Sequence, residues 1–269
     1  MISGTTTIYG ILGRPVAHSL SPAMHNAAFA AQGINAVYVA FPVTDLNLAV
    51  QGLRGLGIGG VSVTIPFKEA IIPLLDEVDP EAKIIGAVNT VVNQDGVLKG
   101  TNTDWQGALA ALQEHVQLSG QRVLLLGAGG AGRAIAYAVQ RAGGQIWVTD
   151  VDWGRAQTLA QEFQVKALPW AEAPQIKVDV LINATPVGMA PHEAASPFPA
   201  AKLQTGQVVM DIVYKPLQTR LLREAAARGS RIIDGLEMLI YQGARQFELF
   251  TGQSAPVAVM RQAARHRVT

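Results

Sequence analysis

Leu125-Leu126-Gly127-Ala128-Gly129-Gly130-Ala131-Gly132 sets the architecture of this chain. Gly127, Gly129 and Gly132 stand at the G-x-G-x-x-G spacing, with an apolar run over 123–126 before them and good helix formers over 133–139 after them. Glycine turns are common, but one placed between a strand and a helix lets the backbone approach a pyrophosphate and aims a helix N-terminus at it. Asp150 closes the next β-like run, over 146–149, where such folds carry an acid for the ribose. The stretch is read as the phosphate cradle of a dinucleotide site.

Outward from this turn, short β-like runs alternate with helix-like segments along most of the chain. Upstream, strands are expected over 9–12, 37–41 and 60–64, with helices over 22–32 and 46–56. Helical propensity returns over 68–75, a hairpin follows around Asn93-Gln94-Asp95-Gly96, and a long amphipathic helix spans 105–117. Downstream, strands are expected over 180–183, 208–212 and 231–233, with helices over 155–163 and 219–228. Such alternation implies parallel sheets with right-handed crossovers. Because the glycine turn comes mid-chain, what precedes it must form its own α/β domain. The helices from 239 onward have no strand to follow and are expected to return to that first domain. The expected organisation is therefore a two-domain α/β protein. An N-terminal α/β substrate domain takes residues 1–103 with 239–269, and a Rossmann-type, doubly wound dinucleotide-binding domain takes 104–238.

Bulk properties narrow the function. The 269 residues are 49% hydrophobic and 15% charged, as in a soluble α/β protein. With 21 basic and 20 acidic side chains, the net charge is +1, and no segment concentrates lysine or arginine, so a nucleic-acid partner is not expected. The chain has no cysteine, which excludes disulfides, thiolate metal sites and a cysteine nucleophile, and suits the cytoplasm. Its five histidines form no pair at metal-ligand spacing, so no catalytic metal is expected. The N-terminus lacks the pattern of a secretory signal, and no uncharged apolar run is long enough for a bilayer.

The first domain places small polar residues just after its strands, where open α/β sheets bind ligands. Ser19 and Ser21 stand immediately before Pro22, the expected start of a helix. Ser21 also suits an N-cap, but a pair of hydroxyls beside free helix N–H groups suits a small carboxylate. His18 has no visible partner and is read as structural. In Ser62-Val63-Thr64-Ile65-Pro66-Phe67-Lys68, a stiff apolar corner presents Lys68 for proton transfer near the expected helix start. Asn89 is placed to hydrogen-bond a hydroxyl. Asp104 opens the long helix, where a cap or first-turn acid is an equally good reading.

Eight motifs then occur in order: G-R-P-V-A-H-S-L-S-P-A-M-H-N, S-V-T-I-P-F-K, G-A-V-N-T, T-N-T-D-W-Q-G, G-A-G-G-A-G-R-A, N-A-T-P-V-G-M, D-I-V-Y-K-P and G-L-E-M-L-I-Y-Q-G-A. Across nearly its whole length, the chain resembles the shikimate dehydrogenase family. The resemblance implies reversible, nicotinamide-dependent reduction of 3-dehydroshikimate to shikimate, a step of aromatic amino-acid biosynthesis, by a monomer or homodimer. It implies Lys68 and Asp104 as the catalytic pair, with Ser19 and Ser21 on the substrate carboxylate. Thr64, Asn89 and Gln242 would contact hydroxyls, and Tyr214 would line the same pocket. For the dinucleotide it implies Gly127, Ala128, Gly129, Gly130, Ala131 and Gly132 on the pyrophosphate, and Gly188, Met189, Ile212, Gly235 and Met238 beside the nicotinamide.

One stretch departs from the family pattern. Members that use NADP commonly carry Asn-Arg-Thr or Asn-Arg-Ser after the second strand of the nucleotide domain, whereas this chain has Asp150-Val151-Asp152. Asp150 suits a free ribose hydroxyl and repels a 2′-phosphate, which favours NAD. The resemblance itself implies NADP, and Arg155 matches a second basic position of the pattern. NAD use points in turn to a quinate/shikimate dehydrogenase as the rival enzyme, although the Ser19/Ser21 pair leans toward shikimate. A non-catalytic, nucleotide-sensing relative is the alternative of another class. Retention of Lys68, Asp104, Asn89 and Gln242 together argues against it.

Overall fold

The computed structural model describes residues 2–268, which divide into two units. One runs up to Thr103 and includes Ile240–Arg267; the other is Asp104–Leu239. Among the described residues, no helix is long and apolar enough to cross a membrane.

In the first unit, β1 (Thr7–Gly13), α1 (Ser21–Ala31), β2 (Ala36–Pro42), α2 (Leu46–Gly55) and β3 (Gly60–Val63) follow one another as the sequence alternation implies. β4 (Glu77–Val78), α3 (Pro80–Ile85), β5 (Thr90–Gln94) and β6 (Val97–Thr101) complete the sheet, in the order β2-β1-β3-β5-β6-β4. Its β2, β1 and β3 are parallel, but β5 runs antiparallel to both β3 and β6. The β5–β6 pair is the expected hairpin, whereas the antiparallel β3–β5 pair departs from the expected parallel pairing. The hairpin at Asp95 and Gly96, both at positive φ, reverses the chain without a crossover helix. Leu12, Val61, Val63, Ile71, Val88, Val91 and Leu98 form a core on this sheet with Leu53 of α2.

No α-helix forms over 68–75. Pro73 limits the stretch to a 3₁₀ turn at Ile72–Leu74, and the chain around Lys68 is loop. Helix α1 packs against α9 (Val257–Arg265); His25 and Tyr9 meet Phe250 of α8 (Gly235–Thr251), and Phe29 meets Phe247 of the same helix. Strand β2 lies at the sheet edge. There the Asn26 carboxamide accepts the Tyr38 N–H at 2.9 Å and donates to the Tyr38 carbonyl at 2.8 Å.

The second unit holds α4 (Asp104–Gln113), β7 (Arg122–Leu126), α5 (Gly130–Arg141), β8 (Gln145–Thr149), α6 (Trp153–Phe163) and β9 (Lys166–Ala167). Strands β10 (Val180–Asn183) and β11 (Val208–Asp211), helix α7 (Arg220–Ala227) and strand β12 (Arg231–Ile233) follow. All six strands are parallel in the order β12-β11-β10-β7-β8-β9, the doubly wound order whose reversal falls between β7 and β10. Being covered on both faces, β7 and β10 read as continuous apolar runs rather than alternating ones. Helix α4 stops at Gln113, four residues short of the expected end, and packs on α5, with Trp105 edge-on to Tyr137 at 5.4 Å.

Candidate active site

In the first unit, the predicted residues gather at strand ends. Ser19 and Ser21 sit at the start of α1, but Ser21 is not its cap. Leu20 holds that position without a side-chain bond, and the Ser21 N–H donates to the Ser19 hydroxyl at 3.2 Å. His18 is exposed, so it is no part of a core. Thr64 follows β3, and its carbonyl accepts the Phe67 N–H at 2.9 Å, turning the chain toward Lys68. Lys68 is half-buried, and its own carbonyl accepts the Val88 N–H at 2.8 Å, which fixes its backbone beside the Asn89 strand.

Asn89 is 2% exposed and is the centre of a polar cluster. Its Nδ2 donates to Thr103 Oγ1 at 2.9 Å and to Gln242 Oε1 at 3.3 Å, while its Oδ1 accepts the Thr103 N–H at 2.7 Å. Thr103 belongs to the T-N-T-D motif but was not singled out from sequence. The neighbouring threonine spacing was the available signal. Gln246, one helical turn beyond Gln242 on α8, was missed with it.

In the second unit, the glycine turn has the shape its spacing implies. Gly127 adopts φ +103°, and a β-carbon on Gly132 would lie 2.1 Å from the Gly127 carbonyl oxygen, so the turn closes on itself only with glycine there. Gly129 caps α5 with no side-chain bond, leaving the helix N-terminus without a side-chain acceptor. This cradle fits a pyrophosphate. Asp150 is tied to the turn: its Oδ2 accepts the Ala128 N–H at 2.7 Å and its Oδ1 accepts the Asp152 N–H at 2.9 Å. Asp152 caps α6 by accepting the Arg155 N–H at 3.3 Å, and Val151 is exposed. The Arg155 guanidinium leans toward the turn, with Nη1 4.0 Å from where a β-carbon on Gly129 would stand.

The remaining predicted residues of this unit converge on the ends of β10 and β11. Ile212 donates its N–H to the Asn183 carbonyl at 3.0 Å, and a β-carbon on Gly235 would fall 2.2 Å from the Ile212 carbonyl oxygen. Gly188 is at φ +92° beside Thr219, Met189 is half-buried and Met238 is buried. Asp104, buried in the first turn of α4, and Tyr214, whose hydroxyl pKa burial raises, also belong to this unit, whereas Lys68 and the serines belong to the other. An unpredicted anchor holds the loops. Asp211, fully buried, accepts from Asn183 Nδ2 at 2.9 Å, the Val213 N–H at 3.0 Å and Thr219 Oγ1 at 2.7 Å. Burial still pushes its carboxyl up to about 6, against the pull of those hydrogen bonds.

Comparisons with known proteins agree along the chain. A family profile described as the shikimate dehydrogenase substrate binding domain matches residues 11–91, and one described as the shikimate 5′-dehydrogenase C-terminal domain matches 235–265. A profile described as NADP oxidoreductase, coenzyme F420-dependent, matches 122–215. The curated shikimate dehydrogenase (NADP(+)) of Pyrococcus abyssi is 48% identical, over 97% of this chain and 98% of its own. Shikimate 5-dehydrogenase from Thermus thermophilus, solved with NADP(H) and shikimate, is 44% identical with a TM-score of 0.90, covering 97% of this chain and 100% of its own. Quinate dehydrogenase from Corynebacterium glutamicum, solved with NAD, is 35% identical with a TM-score of 0.89, covering 96% and 98%.

Proposed function

Because this chain belongs to the shikimate dehydrogenase family, we propose that it reversibly reduces 3-dehydroshikimate to shikimate and prefers NAD(H) to NADP(H). The observation that carries the substrate reading is the buried Asn89–Thr103–Gln242 cluster, whose carboxamides suit a ring bearing several hydroxyls. Ser19 and Ser21, at the α1 N-terminus, take the substrate carboxylate. Thr64, Asn89 and Gln242 take its hydroxyls, and Tyr214 lines the pocket.

A bound nicotinamide dinucleotide supplies or accepts the hydride. Residues Gly127–Gly132 would hold its pyrophosphate, and Gly188, Met189, Ile212, Gly235 and Met238 would lie on the nicotinamide side. As the ketone is reduced, negative charge builds on its oxygen, which the Lys68 ammonium stabilises and protonates. Asp104 is the second catalytic group of this reading and acts on the reacting hydroxyl.

The NAD preference rests on Asp150 and Asp152, which bracket Val151 where a 2′-phosphate would require cations. Arg155 leans toward the glycine turn, where it serves the pyrophosphate. Initial rates of nicotinamide absorbance, with shikimate or quinate and with each dinucleotide, test the proposal. The expected highest kcat/KM is for shikimate with NAD. A large NADP preference would overturn the Asp150 reading, and turnover of quinate alone would move the assignment to quinate. Binding of a dinucleotide without turnover of either acid would indicate a nucleotide-sensing relative.

A further inference from the structure

Beneath the Asn89 cluster, the first unit buries a row of neutral hydrogen-bonding side chains. Tyr38 on β2, Ser62 on β3, Thr90 on β5 and Gln246 on α8 are each no more than 4% exposed. Two backbone groups fix the direction of every bond in the row. The Thr103 N–H can only donate, so the Asn89 atom 2.7 Å from it is the carboxamide oxygen. Thr90 Oγ1, 2.8 Å from that same oxygen, must donate to it. The Asn89 backbone carbonyl can only accept, so Gln246 meets it with Nε2 at 3.1 Å, and Nε2 also donates to Thr90 Oγ1 at 3.0 Å. The Gln246 oxygen therefore faces Ser62, which donates to it at 2.6 Å and accepts from the Tyr38 hydroxyl at 2.5 Å. The donated protons thus all point one way, from Tyr38 through Ser62, Gln246 and Thr90 to Asn89.

The row is also insensitive to pH near neutrality. Burial raises the Tyr38 pKa and lowers that of His25, stacked 4.3 Å from it, to about 3. The consequence falls on Asn89. With Oδ1 receiving both Thr90 and Thr103, its carboxamide cannot turn over without breaking two buried hydrogen bonds, and Nδ2 is held toward Thr103 and Gln242. Resting on the substrate reading above, we propose that Thr90 and Gln246 are positioning residues that lock Asn89 to meet a substrate hydroxyl as a hydrogen-bond donor, the hydroxyl taking the proton that reaches Gln242 at 3.3 Å in the free enzyme.

Thr90→Val keeps the shape and removes the hydroxyl, whereas Thr90→Ser keeps the hydroxyl. In the full-length enzyme, Thr90→Val is expected to raise the KM for shikimate about tenfold with the KM for NAD little changed, and Thr90→Ser to restore it. Without substrate, the Asn89 side-chain amide protons, assigned by their loss in Asn89→Asp, should exchange with solvent about tenfold faster in Thr90→Val. Gln246→Met provides the same two measurements if Thr90→Val does not fold. Either readout unchanged in a folded variant overturns the positioning role, even where the unfolding midpoint falls. Failure of the wild-type protein to turn over shikimate defeats the substrate reading instead, and amide exchange still reports on the lock.

Discussion

The second unit shapes its glycine turn with backbone, Gly132 standing where a β-carbon would press on the Gly127 carbonyl, whereas the first unit assembles its polar cluster from side chains. Asn89 meets Thr103 14 residues away and Gln242 153 residues away. A backbone cradle is written in one short stretch of sequence and is indifferent to most side chains around it. A side-chain cluster depends on topology to bring its members together, and each member brings its own directionality. The consequence is a division of sensitivity: the first unit should fail by losing groups, and the second by gaining them.

The largest effect is expected from Lys68→Ala, which removes the proposed proton donor while leaving the fold around it. kcat should fall by about 10³ with a far smaller change in KM. Near-normal turnover would show that the first unit does not supply the chemistry. Next comes Asp211, the side-chain exception within the second unit. Its folded-state pKa of about 6 lies above the ordinary 3.8, so its contribution to stability is present below about pH 4 and is lost as pH rises through about 6. The gap corresponds to about 3 kcal/mol. Wild type should therefore gain stability relative to Asp211→Asn as pH drops from 7 to 4, measured as the difference in unfolding midpoints. Parallel pH curves would refute it.

Gly132→Ala tests the backbone side of the comparison. Overpacking against Gly127 should cost about 2 kcal/mol of stability and weaken dinucleotide binding, measured by calorimetric titration, while leaving the Asn89 cluster intact. Unchanged NAD affinity would mean that the turn tolerates a methyl group and is not the cradle. The smallest effect is expected from Val151→Arg, which adds a cation to the exposed position between Asp150 and Asp152. The NAD-to-NADP ratio of kcat/KM should shift about tenfold toward NADP. No shift would place the discriminating contact elsewhere.

The same division explains what could be read from the chain. The doubly wound sheet was legible because its central strands are continuous apolar runs and the glycines sit at fixed spacing around one turn, while the two-residue β9, Lys166–Ala167, carries no such signal. The expected strands over 146–149, 180–183 and 231–233 match β8, β10 and β12 within a residue. The β5–β6 hairpin was legible from its turn residues, but the antiparallel pairing of β5 with β3 was not, since the alternation of strands and helices does not encode direction. The helix expected over 68–75 reflected local propensity that Pro73 overrides. In the site, Asn89 was read from its place in the sequence and Gln242 through the resemblance, but Thr103, Thr90, Ser62, Tyr38 and Gln246 were not named. Their roles exist only once three strands and a helix have met, and no local pattern marks a buried serine as a link. Asp211 escaped for a similar reason, because it looks like any acid at a strand end until its burial is known.

The Asn26 carboxamide supplies both halves of the pairing that an additional strand would offer Tyr38. At the same rim of β2, the Ala36 N–H is already spent on the Ile34 carbonyl at 2.9 Å, and Pro42 has no N–H to give. A foreign peptide seeking to extend this sheet must evict a side chain anchored on a helix before it gains its first bond at Tyr38. The unit thereby protects an apolar border from runaway polymerisation without spending a charge on it.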